Sequence, residues 1–323
     1  MGITTLGPLM IDVEGTILSQ ADRKRLLHPA VGGIILFARN FENPEQVKQL
    51  TTEIRALRSP QLLIAVDHEG GRVQRFRFGF TQIPPMASLG ELWEKDQAAA
   101  LAEAKRYGAL IAQELLEVGI DFSFTPVLDL NYGTSEVIGN RAFHRDPATV
   151  SHLAAALCKG LNAEGMIGVA KHFPGHGYVE ADSHVAIPID TRCEEEIMED
   201  IQPFQFLVEK GVEAIMPAHV IYPAIDKNPA GFSSIWLQSW LREKMGFKGF
   251  IFSDDVSMEG ASVAGATFEE RARAALSAGC DGVLICNHMQ EVDIWFESLA
   301  VDAFSACEER WEPLRAKRFK STT

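Results

Sequence analysis

A group of ionisable side chains follows a short apolar run in the middle of the chain. The run at 166–170 predicts a buried strand, and the glycines and the proline after it disfavour helix and sheet. In a parallel α/β fold, ligands bind beside the carboxyl ends of strands, so groups at such a junction are well placed to act on a ligand. We therefore predict a functional site, rather than a solvated loop, from Lys171, His172, His176, Asp182 and His184.

Eight apolar runs predict eight strands, and stretches of helical periodicity lie between most of them. Capping boxes at Thr191/Glu194 and Thr267/Glu270 are predicted to begin two of the later helices. Eight strands that alternate with helices predict an α/β fold, a single (β/α)8 TIM-type barrel, with an open doubly wound sheet as the alternative. The predicted strands are 7–13, 31–38, 62–66, 121–130, 166–170, 212–216, 247–252 and 283–286.

We expect residues 1–323 to form one domain. A length of 323 residues is ordinary for one α/β barrel, and no Gly/Ser-rich linker or low-complexity segment divides the chain. The last stretch, about 289–323, is predicted to add helices outside the barrel and a solvated tail. Its aromatic residues Trp295, Phe296 and Trp311 are expected to be core contacts rather than platforms for a ligand.

Composition argues against several classes of protein. The net charge of −14 disfavours sequence-independent binding to nucleic acid or to acidic membranes. Five cysteines without a C-x-x-C pair indicate neither a disulfide framework nor a zinc site. The sequence has no glycine-rich nucleotide fingerprint, no secretory signal pattern and no apolar run long enough to span a membrane. We therefore expect a soluble, cytoplasmic monomer without a metal.

Polar residues at the ends of the predicted strands would meet on one rim of the barrel. Such a ring allows metal-assisted hydrolysis, Schiff-base chemistry on a lysine, or glycoside hydrolysis with a carboxylate nucleophile. A sugar-binding protein without turnover would use the same contacts. Two members, Asp129 and His219, are expected only to pair with their neighbours. The ring consists of Asp67, Asp129, Lys171, His172, His219 and Asp254.

Five segments together resemble the bacterial β-N-acetylhexosaminidases of glycoside hydrolase family 3, cytoplasmic single-barrel enzymes of peptidoglycan recycling. They occur in the family's order and span essentially the whole chain. One departure is His68, where the family pattern has glutamine, beside the ligand-binding aspartate. The segments are DHEGGRVQR at 67–75, GNRAF at 139–143, KHFPGHG at 171–177, DSH at 182–184 and SDDVSM at 253–258.

The resemblance implies a retaining glycosidase in which Asp254 is the nucleophile. A carboxylate at a strand end has the position that a covalent glycosyl intermediate requires. Asp255 is the competing choice, and because successive side chains on a strand point to opposite faces, only one of the two should face the pocket. The histidine of Asp-x-His, His184, is implied to be the acid/base, with Asp182 orienting its ring. An imidazole pKa of about 6.5 suits both duties at neutral pH.

The resemblance also implies the residues that bind the sugar. Asp67 can accept hydrogen bonds from two hydroxyl groups, and the expected donors are Arg75, Arg141, Lys171 and His172. Arg75 could instead be a salt-bridge partner, and His176 is expected to shape its loop by hydrogen bonding.

The implied reaction is removal of terminal β-linked N-acetylglucosamine from small cell-wall fragments, without a cofactor. The implied substrate is GlcNAc-1,4-anhydro-MurNAc, with or without its stem peptide. Transfer of the sugar to phosphate remains an alternative to hydrolysis. We also predict that the loop at about 174–184 closes over bound sugar, with Gly175 and Gly177 as hinges.

Overall fold

Parallel strands form the centre of the molecule. The computed structural model describes residues 6–181, 183, 186–299, 311 and 314. Within these residues one sheet has the strand order β8-β1-β2-β3-β4 and a second sheet has the order β7-β6-β5. All of these pairings are parallel. The strands are β1 (Leu9–Ile11), β2 (Val31–Leu36), β3 (Leu63–Val66), β4 (Phe122–Ser123), β5 (Val169–Phe173), β6 (Ala214–Pro217), β7 (Phe250–Ile251) and β8 (Val283–Ile285).

Single bridges join the two sheets at both of their seams. Val127, after β4, pairs in parallel with Lys171 of β5, and Phe252, after β7, pairs in parallel with Gly282, before β8. The eight strands therefore follow one another around a ring in chain order. The prediction of an α/β fold of the TIM-barrel type is confirmed.

Helices connect the strands, as the alternating pattern predicted. A π-helix at Ile235–Lys244 takes the place of an α-helix between β6 and β7. In the described part of the chain, no helix combines the length and the apolar character needed to cross a membrane. The α-helices are α1 (Gln20–Leu26), α2 (Pro44–Ala56), α3 (Ala87–Trp93), α4 (Gln97–Glu117), α5 (Pro147–Ala163), α6 (Glu194–Glu209), α7 (Phe268–Ala278) and α8 (Met289–Ser298).

One of the two predicted capping boxes is present. Thr267 and Glu270 cap α7 reciprocally, as expected. The box predicted at Thr191 is wrong, because α6 begins two residues later, with Cys193 as its N-cap and Glu196 as the reciprocal partner. The Glu196 carboxylate accepts the backbone N–H of Cys193 at 3.0 Å, so the N-cap donor is satisfied at Cys193 rather than at Thr191.

Two strands differ most from their predicted bounds. The predicted strand at 121–130 is paired as a strand only at Phe122–Ser123, because Pro126 has no N–H to donate to a neighbouring strand. The strand predicted at 166–170 is observed at Val169–Phe173, so Lys171 and His172 lie within it rather than in the loop that follows. Buried carboxylates satisfy both polar side chains, which allows them to occupy a buried strand.

The C-terminal aromatic residues lie in the core, as predicted. Trp295 and Trp311 are buried, and Phe296 packs against the core while partly exposed. The indole of Trp311 lies 4.7 Å from the ring of Phe250, and its Nε1 donates to the carbonyl of Gly7 at 2.9 Å. The remainder of 300–323 lies outside the described residues, so the extent of the single domain stays a prediction.

Candidate active site

A polar cavity of about 580 Å³ opens at the carboxyl ends of the barrel strands. Its wall brings together six of the eight predicted site residues, which come from three different strand ends and two loops. Asp182 and His184 lie outside the described residues, although Ser183, between them, lines the cavity. The six predicted residues in the wall are Asp67, Arg75, Arg141, Lys171, His172 and Asp254.

A buried ion-pair cluster forms one side of the cavity. The Nζ atom of Lys171 lies 2.9 Å from Oδ1 of Asp67 and 2.6 Å from Oε1 of Glu69. Arg141 donates to both oxygens of Glu69, from Nε and Nη2, each at 2.8 Å. Arg75 is a looser neighbour, with Nη2 at 3.5 Å from Oδ2 of Asp67 and a buried Nε that has no partner among the described residues.

The cluster fixes the charge of Lys171. Burial alone would lower the pKa of Lys171, but the carboxylates of Asp67 and Glu69 raise it above its ordinary value. Burial likewise opposes ionisation of Glu69, yet Arg141 and Lys171 hold its pKa well below the usual range. A Schiff base needs a neutral amine, so a permanently protonated Lys171 favours hydrogen bonding to a ligand over covalent chemistry.

Glu69 is a site residue that the sequence analysis missed. It lies in the short strand His68–Gly70, two residues after Asp67. Alternation along an extended segment places residues two apart on the same face, and this was the signal that could have identified it.

Asp254 and Asp255 both border the cavity but have different surroundings. The Asp255 carboxylate accepts from Ser257 N, Ser257 Oγ and Cys286 N at 2.9, 2.7 and 3.1 Å, and burial raises its pKa to about 6. Asp254 accepts from the backbone N–H of Asp255 at 2.8 Å and remains partly exposed to the cavity. The prediction that only one would face the pocket is wrong, because the chain has already left β7 and strand alternation no longer applies.

Asp129 and His219 lie beneath the cavity wall and are fully buried. Asp129 contacts Nδ1 of His172 at 2.7 Å, and Nε2 of His219 donates to the carbonyl of Asp255 at 3.1 Å. Both residues therefore pair with neighbours, as expected, and each neighbour borders the cavity.

The loop after β5 is attached to the barrel through Ser183. Its Oγ hydrogen-bonds to Nε2 of His176 at 3.1 Å, and its carbonyl accepts the N–H of Gly260 at 2.9 Å. These contacts agree with the expectation that His176 shapes the loop. They also hold the residue next to His184 at the cavity.

Two glycines of this loop are required for close packing. A Cβ on Gly177 would lie 1.9 Å from the carbonyl oxygen of Leu130. Gly175 has a φ of +147°, and a Cβ there would lie 2.7 Å from Cβ of Asp200. The predicted hinge function of Gly175 and Gly177 stays a prediction, whereas steric packing by itself explains both glycines.

A buried polar cluster supports this part of the loop from below. Arg192 contacts Oδ2 of Asp190 at 2.6 Å and Oδ2 of Asp200 at 2.8 Å. The hydroxyl of Tyr132 donates to the same Asp200 oxygen at 2.9 Å. Burial raises the pKa of Asp200 to about 6, although Arg192 opposes this shift. The cluster thus contains a carboxyl group that titrates near neutral pH.

The described residues contain no group of three or more His, Cys, Asp or Glu side chains arranged to hold a metal ion. The cavity wall instead combines carboxylates, cationic donors and two imidazoles. This mixture can replace the water around a polyhydroxylated ligand.

Comparison with known proteins identifies the family. Beta-hexosaminidases from Methylobacillus flagellatus and Aromatoleum aromaticum are 58% and 56% identical to this chain, cover 92% and 96% of it, and are themselves covered to 85% and 84%. The crystal structure of NagZ from Neisseria gonorrhoeae in complex with N-trifluoroacetyl-D-glucosamine superposes with a TM-score of 0.91 at 48% identity, over 100% of this chain and 96% of that one. The sequence profile of the glycosyl hydrolase family 3 N-terminal domain matches residues 9–309. The chain therefore belongs to glycosyl hydrolase family 3, as its five motif segments indicated.

Proposed function

We propose that this protein is a retaining exo-β-N-acetylglucosaminidase. One observation carries the proposal: Asp254, at the end of β7, borders the same cavity as the donor and acceptor cluster around Asp67 and Lys171. The name of the relatives, beta-hexosaminidase, and the N-acylated glucosamine bound to the gonococcal NagZ support this substrate class.

The non-reducing sugar binds at the Asp67 side of the cavity. Asp67 accepts hydrogen bonds from hydroxyl groups, Lys171 donates to one, and His172 contacts another. The buried Nε of Arg75, which has no partner in the described part of the chain, supports a further acceptor on the ligand. Arg141 acts through Glu69, to which two of its nitrogen atoms are bonded.

Catalysis proceeds through a glycosyl-enzyme. An oxygen of Asp254 attacks the anomeric carbon from one face as the bond to the leaving oxygen breaks. His184, oriented by Asp182, gives its proton to that oxygen. His184 then takes a proton from water, the water oxygen bonds to the anomeric carbon, and Asp254 leaves as a carboxylate. The hydrogen bond between Ser183 and His176 supports this assignment, because it holds the residue next to His184 at the cavity.

Asp255 is not the nucleophile in this proposal. Its two oxygens accept three hydrogen bonds from its own loop and from the end of β8. A carboxyl group with a raised pKa of about 6 is also less fully ionised at neutral pH than an ordinary aspartate.

The natural substrate that we propose is GlcNAc-1,4-anhydro-MurNAc, with or without its stem peptide, a fragment released during peptidoglycan turnover. The protein acts in the cytoplasm as a monomer, in cell-wall recycling, and needs no cofactor. This part of the proposal depends on the family resemblance.

The test measures turnover of a chromogenic β-N-acetylglucosaminide by the wild-type protein and by Asp254→Ala and His184→Ala. We expect Asp254→Ala to lose nearly all turnover. His184→Ala should lose least on substrates with good leaving groups, which need no protonation. A fluorinated N-acetylglucosaminyl inhibitor should label Asp254, as mass spectrometry of peptides would show. Full activity of Asp254→Ala, or a label on another residue, would refute the mechanism.

Further arms of the same assay separate the alternatives. A chelator that abolishes turnover would indicate a metal-dependent hydrolase. A sugar phosphate formed in phosphate buffer would indicate phosphorolysis. Trapping by borohydride with a carbonyl substrate would indicate a Schiff base on Lys171. Binding of the sugar without any turnover would indicate a sugar-binding protein.

A further inference from the structure

The carboxylate of Asp129 joins the end of β5 to the loop that follows. Its Oδ2 lies 2.7 Å from Nδ1 of His172. Its Oδ1 accepts the backbone N–H groups of His172 and His176 at 3.3 and 2.7 Å. The Asp129 side chain therefore accepts hydrogen bonds from one ring nitrogen and from two backbone N–H groups, one on each side of the Pro174-Gly175 turn.

These contacts determine which nitrogen of His172 carries the proton. A carboxylate only accepts hydrogen bonds, so Nδ1 of His172 must be protonated to face it at 2.7 Å. The remaining ring nitrogen, Nε2, belongs to a residue in the wall of the cavity. In a neutral ring this nitrogen has a lone pair that can accept a hydroxyl proton.

Asp129 is suited to this task because it stays ionised. Burial opposes ionisation, but the adjoining imidazole of His172, its hydrogen bond and the N–H of His176 hold the pKa of Asp129 below its ordinary value. Its side chain is fully buried, so water does not compete for the contact.

We propose that Asp129 is a positioning residue that holds His172 in the Nδ1-protonated tautomer, so that Nε2 meets a hydroxyl group of the substrate. The contact with substrate rests on the proposed function. The tautomer rests only on the geometry of Asp129 and His172.

The substitution Asp129→Asn distinguishes the roles of the two carboxylate oxygens, because it keeps one oxygen and replaces the other by an NH₂ group. The amide oxygen must accept hydrogen bonds from the two backbone N–H groups, because in the opposite orientation an NH₂ group, which is also a donor, would face them. The amide nitrogen then faces Nδ1 of His172, which must give up its proton and become an acceptor. Asp129→Asn should therefore move the ring proton to Nε2 while changing almost no volume.

The first test is ¹⁵N NMR of protein labelled at histidine, with the His172 signals assigned by their loss in His172→Gln. In the wild type we expect Nδ1 of His172 to be protonated. In Asp129→Asn we expect a protonated Nε2 and an unprotonated Nδ1. An unprotonated Nδ1 in the ligand-free wild type would overturn the proposal, and this measurement needs neither turnover nor Asp129→Asn.

The second test is a double-mutant cycle on kcat/KM with a chromogenic β-N-acetylglucosaminide. We expect Asp129→Asn to lower kcat/KM by about 10- to 100-fold, as the loss of a supporting hydrogen bond commonly does. In a His172→Gln background the same change should cost no more than about twofold, because a residue that acts through His172 has nothing left to position. Losses that multiply would overturn the proposal.

Asp121→Asn is the matched control. Asp121 also accepts a backbone N–H, that of Ile64, at 2.7 Å, but it lies at the opposite end of its strand. We expect it to lower the unfolding midpoint without changing the His172 tautomer. If Asp121→Asn also moved the ring proton, the tautomer would reflect general loosening, and the proposal would fail. Absence of turnover in the wild type, with the expected tautomer, would refute the proposed function and leave the positioning of the ring in place.

Discussion

The Nζ atom of Lys171 lies 2.6 Å from an oxygen of Glu69, a residue 102 positions earlier in the chain and buried to the same degree. Their side chains are only 4% and 2% exposed. The barrel holds this pair together, because Lys171 lies in β5 and Glu69 in the short strand His68–Gly70 that follows β3. It keeps a cation at the wall of the cavity without the mobility of a surface lysine.

Removing the charge of Glu69 should destabilise the protein strongly. Glu69→Gln leaves Lys171 with one anion and Arg141 without its carboxylate, so we expect a loss of about 3 kcal/mol or more in the free energy of unfolding. Urea denaturation measures this loss. Glu103→Gln is the control, because its pair with Arg106 is much more exposed; it should cost at most about 1 kcal/mol. Equal losses in the two variants would contradict the prediction.

Asp200 should make stability depend on pH between about 4 and 6. Its folded pKa is about 6, above its ordinary value of 3.8, so the folded state binds a proton that the unfolded state releases over this range. The contribution of Asp200 to stability is therefore largest below pH 4 and falls as the pH rises through 6. This rise in the pKa of Asp200 corresponds to a change of about 3 kcal/mol in the free energy of unfolding.

The measurement compares urea unfolding of the wild type and of Asp200→Asn from pH 4.5 to 7.5. Asparagine does not titrate, so the difference between the two curves isolates Asp200. We expect the stability of the wild type relative to Asp200→Asn to fall as the pH rises. Parallel curves, or a difference of the opposite sign, would contradict the raised pKa.

The approach of Gly177 to Leu130 should make this glycine irreplaceable. Gly177→Ala places a methyl group 1.9 Å from the Leu130 carbonyl oxygen, so the loop must move. We expect a cost of about 1–3 kcal/mol in the free energy of unfolding and a clear fall in kcat/KM. Gly15→Ala is the control, since a Cβ there meets nothing within 4 Å. If both variants behaved like the wild type, the close packing of this loop would be refuted.

The hydrogen bond between His176 and Ser183 should matter for proton transfer. Ser183→Ala removes it, and we expect about a fivefold loss of kcat on alkyl glycosides, the effect of one hydrogen bond. Aryl substrates with good leaving groups should lose less, because their departure needs little protonation. Ser262→Ala, which removes an exposed bond to Glu259, is the control and should change neither rate. Equal losses on both substrate types would argue against a role in positioning His184.

Local sequence determined much of this protein. The alternation of apolar runs with helical stretches identified the barrel, because buried strands and amphipathic helices each give a hydrophobic pattern among residues that are close in the sequence. Thr267 and Glu270 marked the start of α7, since a capping box needs only residues three apart. The motifs indicated the family, and they contained the six predicted site residues that the structure brings into one cavity.

Tertiary structure decided which of these groups interact. Lys171 meets Asp67 across 104 positions of sequence, and Asp129 meets His172 across 43. Neither pairing has a local signal, because each depends on how the barrel brings together segments that are far apart in the sequence. Asp254 and Asp255 could not be distinguished by alternation either, since the chain leaves the strand before them. Sequence spacing indicates which side chains lie on the same face of one strand or helix. The arrangement of the strands in the barrel determines which of these faces are in contact.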